Sequence, residues 1–156
     1  MSVPSLSPTV PAASADSAVE AIRHRGLRLT ASRRLVVEAL YASGRPVTAE
    51  EIASGMYGRF PRCDLASVYR NLETLEAAGL VRHMHLGHGP GLYAPTTGAD
   101  EYVACERCGR SEVVPADVLA RLRAALRDAV GYEASFSHFP IPGLCPACKE
   151  KLDVRS

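Results

Sequence analysis

The sequence predicts an α+β protein with an N-terminal winged helix-turn-helix and a smaller C-terminal α+β unit closed by a four-cysteine structural zinc. Three observations lead there. Three consecutive amphipathic helical segments joined by short turns are followed by two short extended runs. Two C-x2-C units stand 36 residues apart in the C-terminal third. Between those units lies one further amphipathic helix flanked by short strand patterns. At 156 residues, 47% apolar and 22% charged, the chain has ordinary globular composition, which excludes a fully disordered, collagenous or membrane-spanning protein.

Residues 1–13 are rich in Ser, Pro and Ala without periodicity and read as a disordered arm. A first helix begins near Ser14 or Asp16. Thr30 caps a second helix that carries Leu35, Val36, Ala39 and Leu40 on one stripe and stops at Gly44. Thr48 and Glu51 have the spacing of a capping box and open a third helix with Ile52, Ala53 and Met56. After a break at Arg59, Phe60, Pro61 and Arg62, Asp64 caps a fourth helix that buries Leu65, Val68, Leu72 and Leu75 and ends at Gly79. Residues 80–85 and 91–94 form the two strands of a wing around Leu86-Gly87-His88-Gly89-Pro90. These elements place one domain at residues 14–94 and a hinge linker at 95–100.

Residues 101–156 form the second domain. A strand precedes Cys105, another covers residues 111–114, and a helix at 115–129 buries Val118, Leu119, Leu122, Ala125, Leu126 and Ala129. A strand at 132–139 and a knuckle at Cys145 to Cys148 complete it. So short a segment makes a weak monomeric core, so metal and dimerisation are expected to stabilise it.

Charge is segregated. Five arginines, Arg23, Arg25, Arg28, Arg33 and Arg34, face the single acid Glu20 between residues 20 and 35, and sixteen of the eighteen basic residues are Arg, the type suited to forked phosphate contacts. Beside a helix-turn-helix this points to double-stranded DNA as a partner. On the fourth helix the leucines leave Ala66, Ser67, Tyr69, Arg70 and Glu73 near the free face, where small residues allow close approach to a groove and Arg70 can fork onto a guanine edge or a phosphate. Without a basic leader or a long apolar run, the chain is expected in the cytoplasm, not in a membrane.

Cys105, Cys108, Cys145 and Cys148 bring four thiolates to one Zn²⁺ in a shell that leaves no open position, so this metal is expected to fold the protein. Cys63 reads as a packed cysteine, with an oxidisable thiol or a further ligand as the alternatives. His83 and His85, at i and i+2 on a strand, face one side; solvated imidazoles and half of a divalent-metal site both fit. No Glu or Asp stands beside them as an obvious general base, so a zinc hydrolase is disfavoured and no enzyme activity is expected.

Together these residues resemble the ferric uptake regulator family of metal-dependent repressors, from about residue 18 to 148. The marks are Gly26-Leu27-Arg28-Leu29-Thr30-Ala31-Ser32-Arg33, Ala66-Ser67-Val68-Tyr69-Arg70-Asn71-Leu72, Cys105-x2-Cys108-Gly109 and Gly143-Leu144-Cys145-Pro146-Ala147-Cys148. The resemblance implies a DNA-binding domain hinged to an α+β dimerisation domain, a homodimer on an operator, a structural zinc and a separate regulatory metal. It puts Tyr69 and Arg70 on the recognition helix, with Arg28 and Arg33 in the basic set that meets DNA.

Two departures matter. The His-rich run usual before the first C-x2-C reads Ala99-Asp100-Glu101-Tyr102, and the acid usual after the wing aromatic is Ala94, so one common sensor site looks dismantled. The wing is similar to that of the nickel-responsive branch, which implies His83, His85 and His138 as ligands of a regulatory Ni²⁺, Zn²⁺ or Fe²⁺, with His88, Asp100 and Glu101 as further candidates. A peroxide or haem sensor on the same fold is the alternative function.

Overall fold

In the computed structural model, residues 14–96, 101–136 and 140–154 are described. The expected arm at 1–13, most of the linker, and the candidates Asp100 and His138 lie outside the described residues. Eleven elements follow in order: α1 (Ala15–His24), α2 (Ala31–Ser43), α3 (Ala49–Ala53), α4 (Leu65–Ala77), β1 (Val81–Met84), β2 (Leu92–Pro95), β3 (Glu101–Cys105), β4 (Ser111–Val114), α5 (Ala116–Val130), β5 (Ile141–Gly143) and α6 (Pro146–Asp153).

The helix boundaries follow local chemistry. The side chains of Ser14, Thr30, Thr48 and Asp64 each accept from a backbone N–H in the first turn of α1 to α4, and Thr48 with Glu51 forms the reciprocal capping box. Ile22, Val36, Val37, Leu40, Ile52, Val68, Leu72 and Leu75 close one core. The wing joins it at Tyr93, whose N–H and carbonyl exchange hydrogen bonds with Val47 at 2.7 and 2.9 Å. β1 and β2 pair antiparallel with His83 opposite Tyr93 and Arg82 opposite Ala94.

Between α3 and α4 four successive residues, Gly55, Met56, Tyr57 and Gly58, have φ between 51° and 89°. Left-handed backbone costs a non-glycine residue about 1–2 kcal/mol, and here burial of the Met56 side chain in the core offsets part of it. Gly55 is needed because a Cβ there would meet the Phe60 carbonyl oxygen.

The C-terminal half is a three-stranded sheet in the order β4-β3-β5, with β3 and β4 antiparallel and β3 and β5 parallel. It departs from the sequence reading in three ways. The strand expected at 132–139 is not formed over residues 132–136; the third strand is β5, which pairs in parallel with β3 and runs directly into the turn leading to the second cysteine pair. Cys145 opens a helix, α6, with Pro146 in its first turn. On α5 only Leu119 is buried, while Leu122, Leu126 and Val130 are 40, 39 and 59% exposed. The stripe is amphipathic as predicted, but this half has too few elements to cover it.

In α4 the buried set is Val68, Asn71, Leu72 and Leu75, and Leu65 is exposed because it sits in the first turn, off the core. Pro95 pairs with Val81, so β2 runs one residue into the segment expected as linker.

Candidate metal centres and nucleic-acid interface

The loop after β3 and the start of α6 bring the four cysteines together. Their sulfurs all lie within 4.8 Å of one another, and Cys108 Sγ is 3.7 Å from Cys145 Sγ. A tetrahedron with Zn–S bonds of about 2.3 Å has sulfur–sulfur edges of about 3.8 Å, so the donor set fits Zn²⁺. The knuckle is built by backbone: Cys105 N–H donates to the Arg110 carbonyl at 2.7 Å, Gly109 N–H to Cys105 at 2.9 Å, and Cys148 N–H to Cys145 at 3.0 Å.

N–H groups of Cys145 and Cys108 directed at Cys105 hold its thiol down to about 6. Burial and hydrogen bonds from the neighbouring sulfurs push Cys148 up to about 12. In the metal-free cluster Cys105 therefore gives up its proton readily while Cys148 keeps its own, and a cation must displace the Cys148 proton.

Among the described residues these four cysteines are the one group of three or more ligand side chains that converges so closely. His83 and His85 do share a side of β1, with ring centroids 4.5 Å apart. His83 is half-buried, stacked on Tyr93 at 4.5 Å and 10°. Its Nε2 is buried with no hydrogen-bond partner among the described residues, pressed against the backbone of Gly91, where any Cβ would collide with it. Its Nδ1 faces outward, 4.0 Å from Oε2 of Glu76 at the end of α4.

That carboxylate is the acid that linear inspection does not find beside the histidines. Six residues separate it from His83 in sequence, and only the sharp turn after α4 brings the two together. His88 sits apart, in the wing turn, lining a cleft of about 960 Å³ shared with Arg45, Tyr57, Cys108 and Arg110. Glu101 faces neither the histidines nor solvent: its side chain is 6% exposed and lies between Arg82 at 3.3 Å and Arg123 at 3.6 Å.

The candidate DNA face is α4. Asp64 Oδ2 accepts from Ser67 N–H at 2.8 Å and sets the first turn, and Arg70 is exposed one turn later. Tyr69 donates its hydroxyl to Glu50 Oε1 at 2.9 Å; that bond, with burial secondary, raises its phenol above the usual range. Arg28 is exposed, but Arg33 is engaged: Nε donates to Asn71 Oδ1 at 3.1 Å and Nη1 to the Arg28 carbonyl. Cys63 is half-buried against the helical core, and burial together with the Asp64 charge pushes its thiol up, which disfavours a reactive thiolate.

A winged helix-turn-helix with a four-cysteine metal centre and an imidazole pair on its wing defines the class of the molecule. The family model of the ferric uptake regulator family matches residues 24–137, and the chain belongs to that family. It is similar to the peroxide operon regulator of Bacillus subtilis, 28% identical over 134 residues that span 86% of this chain and 92% of that protein. It is also similar to the peroxide-responsive repressor PerR of Staphylococcus saprophyticus, at 25% over 87% of this chain and 92% of that one.

In structure it resembles the ferric uptake regulator of Helicobacter pylori, for which three functional metal binding sites are described. The TM-score is 0.67, at 21% identity over 89% of this chain and 96% of the other. A zinc-bound manganese uptake regulator gives a TM-score of 0.66 at 18% identity, covering 82% and 98%. At these identities the structural likeness establishes the shared fold.

Proposed function

We propose that the chain is a metal-dependent transcriptional repressor of metal homeostasis genes that binds a double-stranded DNA operator as a homodimer. The observation that carries this reading is the position of His83. It stands on β1 beside His85, with its outward nitrogen toward Glu76 of α4. A divalent cation held there would cross-link the wing to the helix whose exposed face carries Arg70. His138, on the far side of the linker, is the third imidazole in this reading, so occupancy biases the spacing between the domains at 14–94 and 101–156. Ni²⁺, Zn²⁺ and Fe²⁺ are the candidates, since imidazole suits all three and a carboxylate does not discriminate strongly among them.

Arg70 and Arg28, with Ser67 allowing close approach, are assigned to DNA, and Arg33 to holding the helices that present them. The four-cysteine centre is assigned a structural Zn²⁺. The apolar stripe of Leu122, Leu126 and Val130 supports a second copy of the chain as its cover. Membership of a regulator family favours sensing over hydrolysis for the histidines, and no described helix is long and apolar enough to cross a membrane.

DNA-binding titrations across Zn, Ni, Fe and Mn, with elemental analysis of the purified protein, test the reading. One metal is expected to tighten operator binding, by about 1–3 kcal/mol as is typical of such coupling. His85→Ala should abolish that dependence while keeping zinc at the cysteines. Arg70→Ala should weaken operator binding by about 1–3 kcal/mol. Operator binding indifferent to every metal would end the metal-sensing assignment.

A peroxide-responsive regulator is the second reading, favoured by the functions named for the two bacterial relatives. In that case iron-loaded protein treated with peroxide gains one oxygen atom on a ligand histidine and releases DNA, which mass spectrometry of the peptides decides.

A further inference from the structure

Glu101 is a nearly buried carboxylate. It is the first residue of β3, just beyond the linker, and each of its oxygens meets a guanidinium from a different part of the chain. Arg82 of β1 donates Nη1 to Oε2 at 3.3 Å, and Arg123 of α5 brings Nη2 to 3.6 Å from Oε1. Both cations are held from a second side. Arg82 lies 5.3 Å over the Tyr102 ring, while Arg123 lies 5.8 Å over Phe136 and donates Nε to the Ala134 carbonyl at 3.3 Å.

Burying a carboxylate is costly unless charged partners surround it. Such a group therefore contributes less to net stability than to uniqueness of arrangement, because alternatives leave a charge stranded. Here the alternatives are other placements of the wing. β1 can leave β3 only by breaking the Arg82 pair, and α5 can leave β3 only by breaking the Arg123 pair. In sequence, Arg82 immediately precedes His83, so the pair fixes the backbone from which that imidazole projects.

We propose that Arg82, Glu101 and Arg123 are positioning residues: a metal-free ionic strut that sets the wing against helix α5 across the linker. The strut requires no cation at the histidines, and it stands or falls independently of whether His83 binds one.

The test uses full-length, zinc-loaded protein carrying nitroxides on genetically encoded residues at Pro90, in the wing turn, and Asp128, on α5, diluted with unlabelled chain. Electron–electron dipolar spectroscopy reads the distance between them. Wild-type protein without metal at the histidines should give one narrow distance; supplying metal there can shift that distance, as the proposed function requires, without broadening it. Glu101→Gln, which keeps shape but strands both arginines, should lose that single distance and spread over several, while zinc content at the cysteines is unchanged.

Should Glu101→Gln fail to retain zinc, Arg123→Gln decides. It leaves the Arg82–Glu101 pair intact and removes only the α5 arm, and it too should broaden the distribution. The proposal is overturned if Glu101→Gln folds, or Arg123→Gln replaces it, and the distance stays as narrow as in the wild type. Lowered thermal stability without broadening would equally overturn it, since a merely stabilising role predicts that result.

Discussion

Arg33 Nε donates to Asn71 Oδ1 at 3.1 Å, and through this bond α2 is tied to α4 at the level of the exposed Arg70. The amide of Asn71 is fully used, its Nδ2 reaching Ser32 Oγ and the Ser67 carbonyl, both at 2.9 Å. A polar side chain only 7% exposed sits where periodicity would place a leucine, because it must satisfy groups on both helices. The basic cluster is thereby divided: Arg33 is engaged in holding the helices together, while Arg28 and Arg70 stand exposed.

Asn71→Ala should therefore destabilise the winged helix by about 1–3 kcal/mol, the cost of leaving buried polar partners unsatisfied. Urea unfolding measures it. Operator affinity should fall as well, though Asn71 is buried, because α4 loses its anchor. A variant as stable as wild type would mean that the bonds to Arg33 and Ser32 are replaced by water at no cost.

The zinc centre is expected to bind more tightly as pH rises, in two regimes. Around neutrality Cys105 is already a thiolate, held near 6 by backbone N–H groups, while Cys148, near 12, must release its proton on binding. Below about pH 6 Cys105 also takes a proton in the metal-free form, so the fall in affinity steepens. Chelator competition from about one unit below that break to about two units above it reads the change of slope. Cys105→Ser or Cys148→Ser should lose zinc and dimer together, seen by elemental analysis and sedimentation.

Glu51 gives a second pH dependence. Burial would raise its carboxyl, but Arg45 at 2.7 Å and the Thr48 N–H at 2.9 Å outweigh it, and the folded value lies below the ordinary one. Unfolded chain then binds a proton more readily. The stability that the pair contributes is present above the unfolded pKa, about 4.3, and is lost as pH falls through the lower folded value. Glu51→Gln keeps an acceptor for the capping box and removes the charge. Its deficit, within about 1 kcal/mol for so exposed a pair, should be visible at pH 7 by urea unfolding and should vanish in acid.

Local signals carried most of the fold into view from sequence. Ser14, Thr30, the Thr48 and Glu51 box and Asp64 each act within one turn, so their helices begin where the sequence says. The two C-x2-C units likewise announce a cluster because each fixes two sulfurs locally. What sequence did not reveal depends on distant partners. Glu101 reads as a possible metal ligand until Arg82 and Arg123 are seen around it, residues 19 and 22 positions away. The strand expected at 132–139 rests on alternation alone, whereas β5 wins by pairing with β3 at Ile141 to Gly143. Leu122 and Leu126 read as core because periodicity marks an apolar stripe without saying what covers it.

Gly91 offers a test of the wing site that alters no ligand. It lies two residues before Tyr93, the residue paired with His83, and its missing Cβ is the space that His83 Nε2 occupies. The ring is thereby held flat against Tyr93 with Nδ1 outward, toward Glu76. Gly91→Ala would force the imidazole off that surface, and turning an imidazole away from its orienting contacts typically costs about 10–100-fold in metal affinity. Regulatory-metal binding should weaken by that order while zinc at the four cysteines and metal-free DNA binding stay as they are. Because coupling is reciprocal, operator DNA should then tighten metal binding by a smaller factor than in the wild type, and metal should tighten DNA binding by the same smaller factor. Isothermal titration of metal with and without operator measures both. If Gly91→Ala binds the regulatory metal with full affinity and full coupling, His83 is not among its ligands, and the site must be sought around His88 and the cleft it lines.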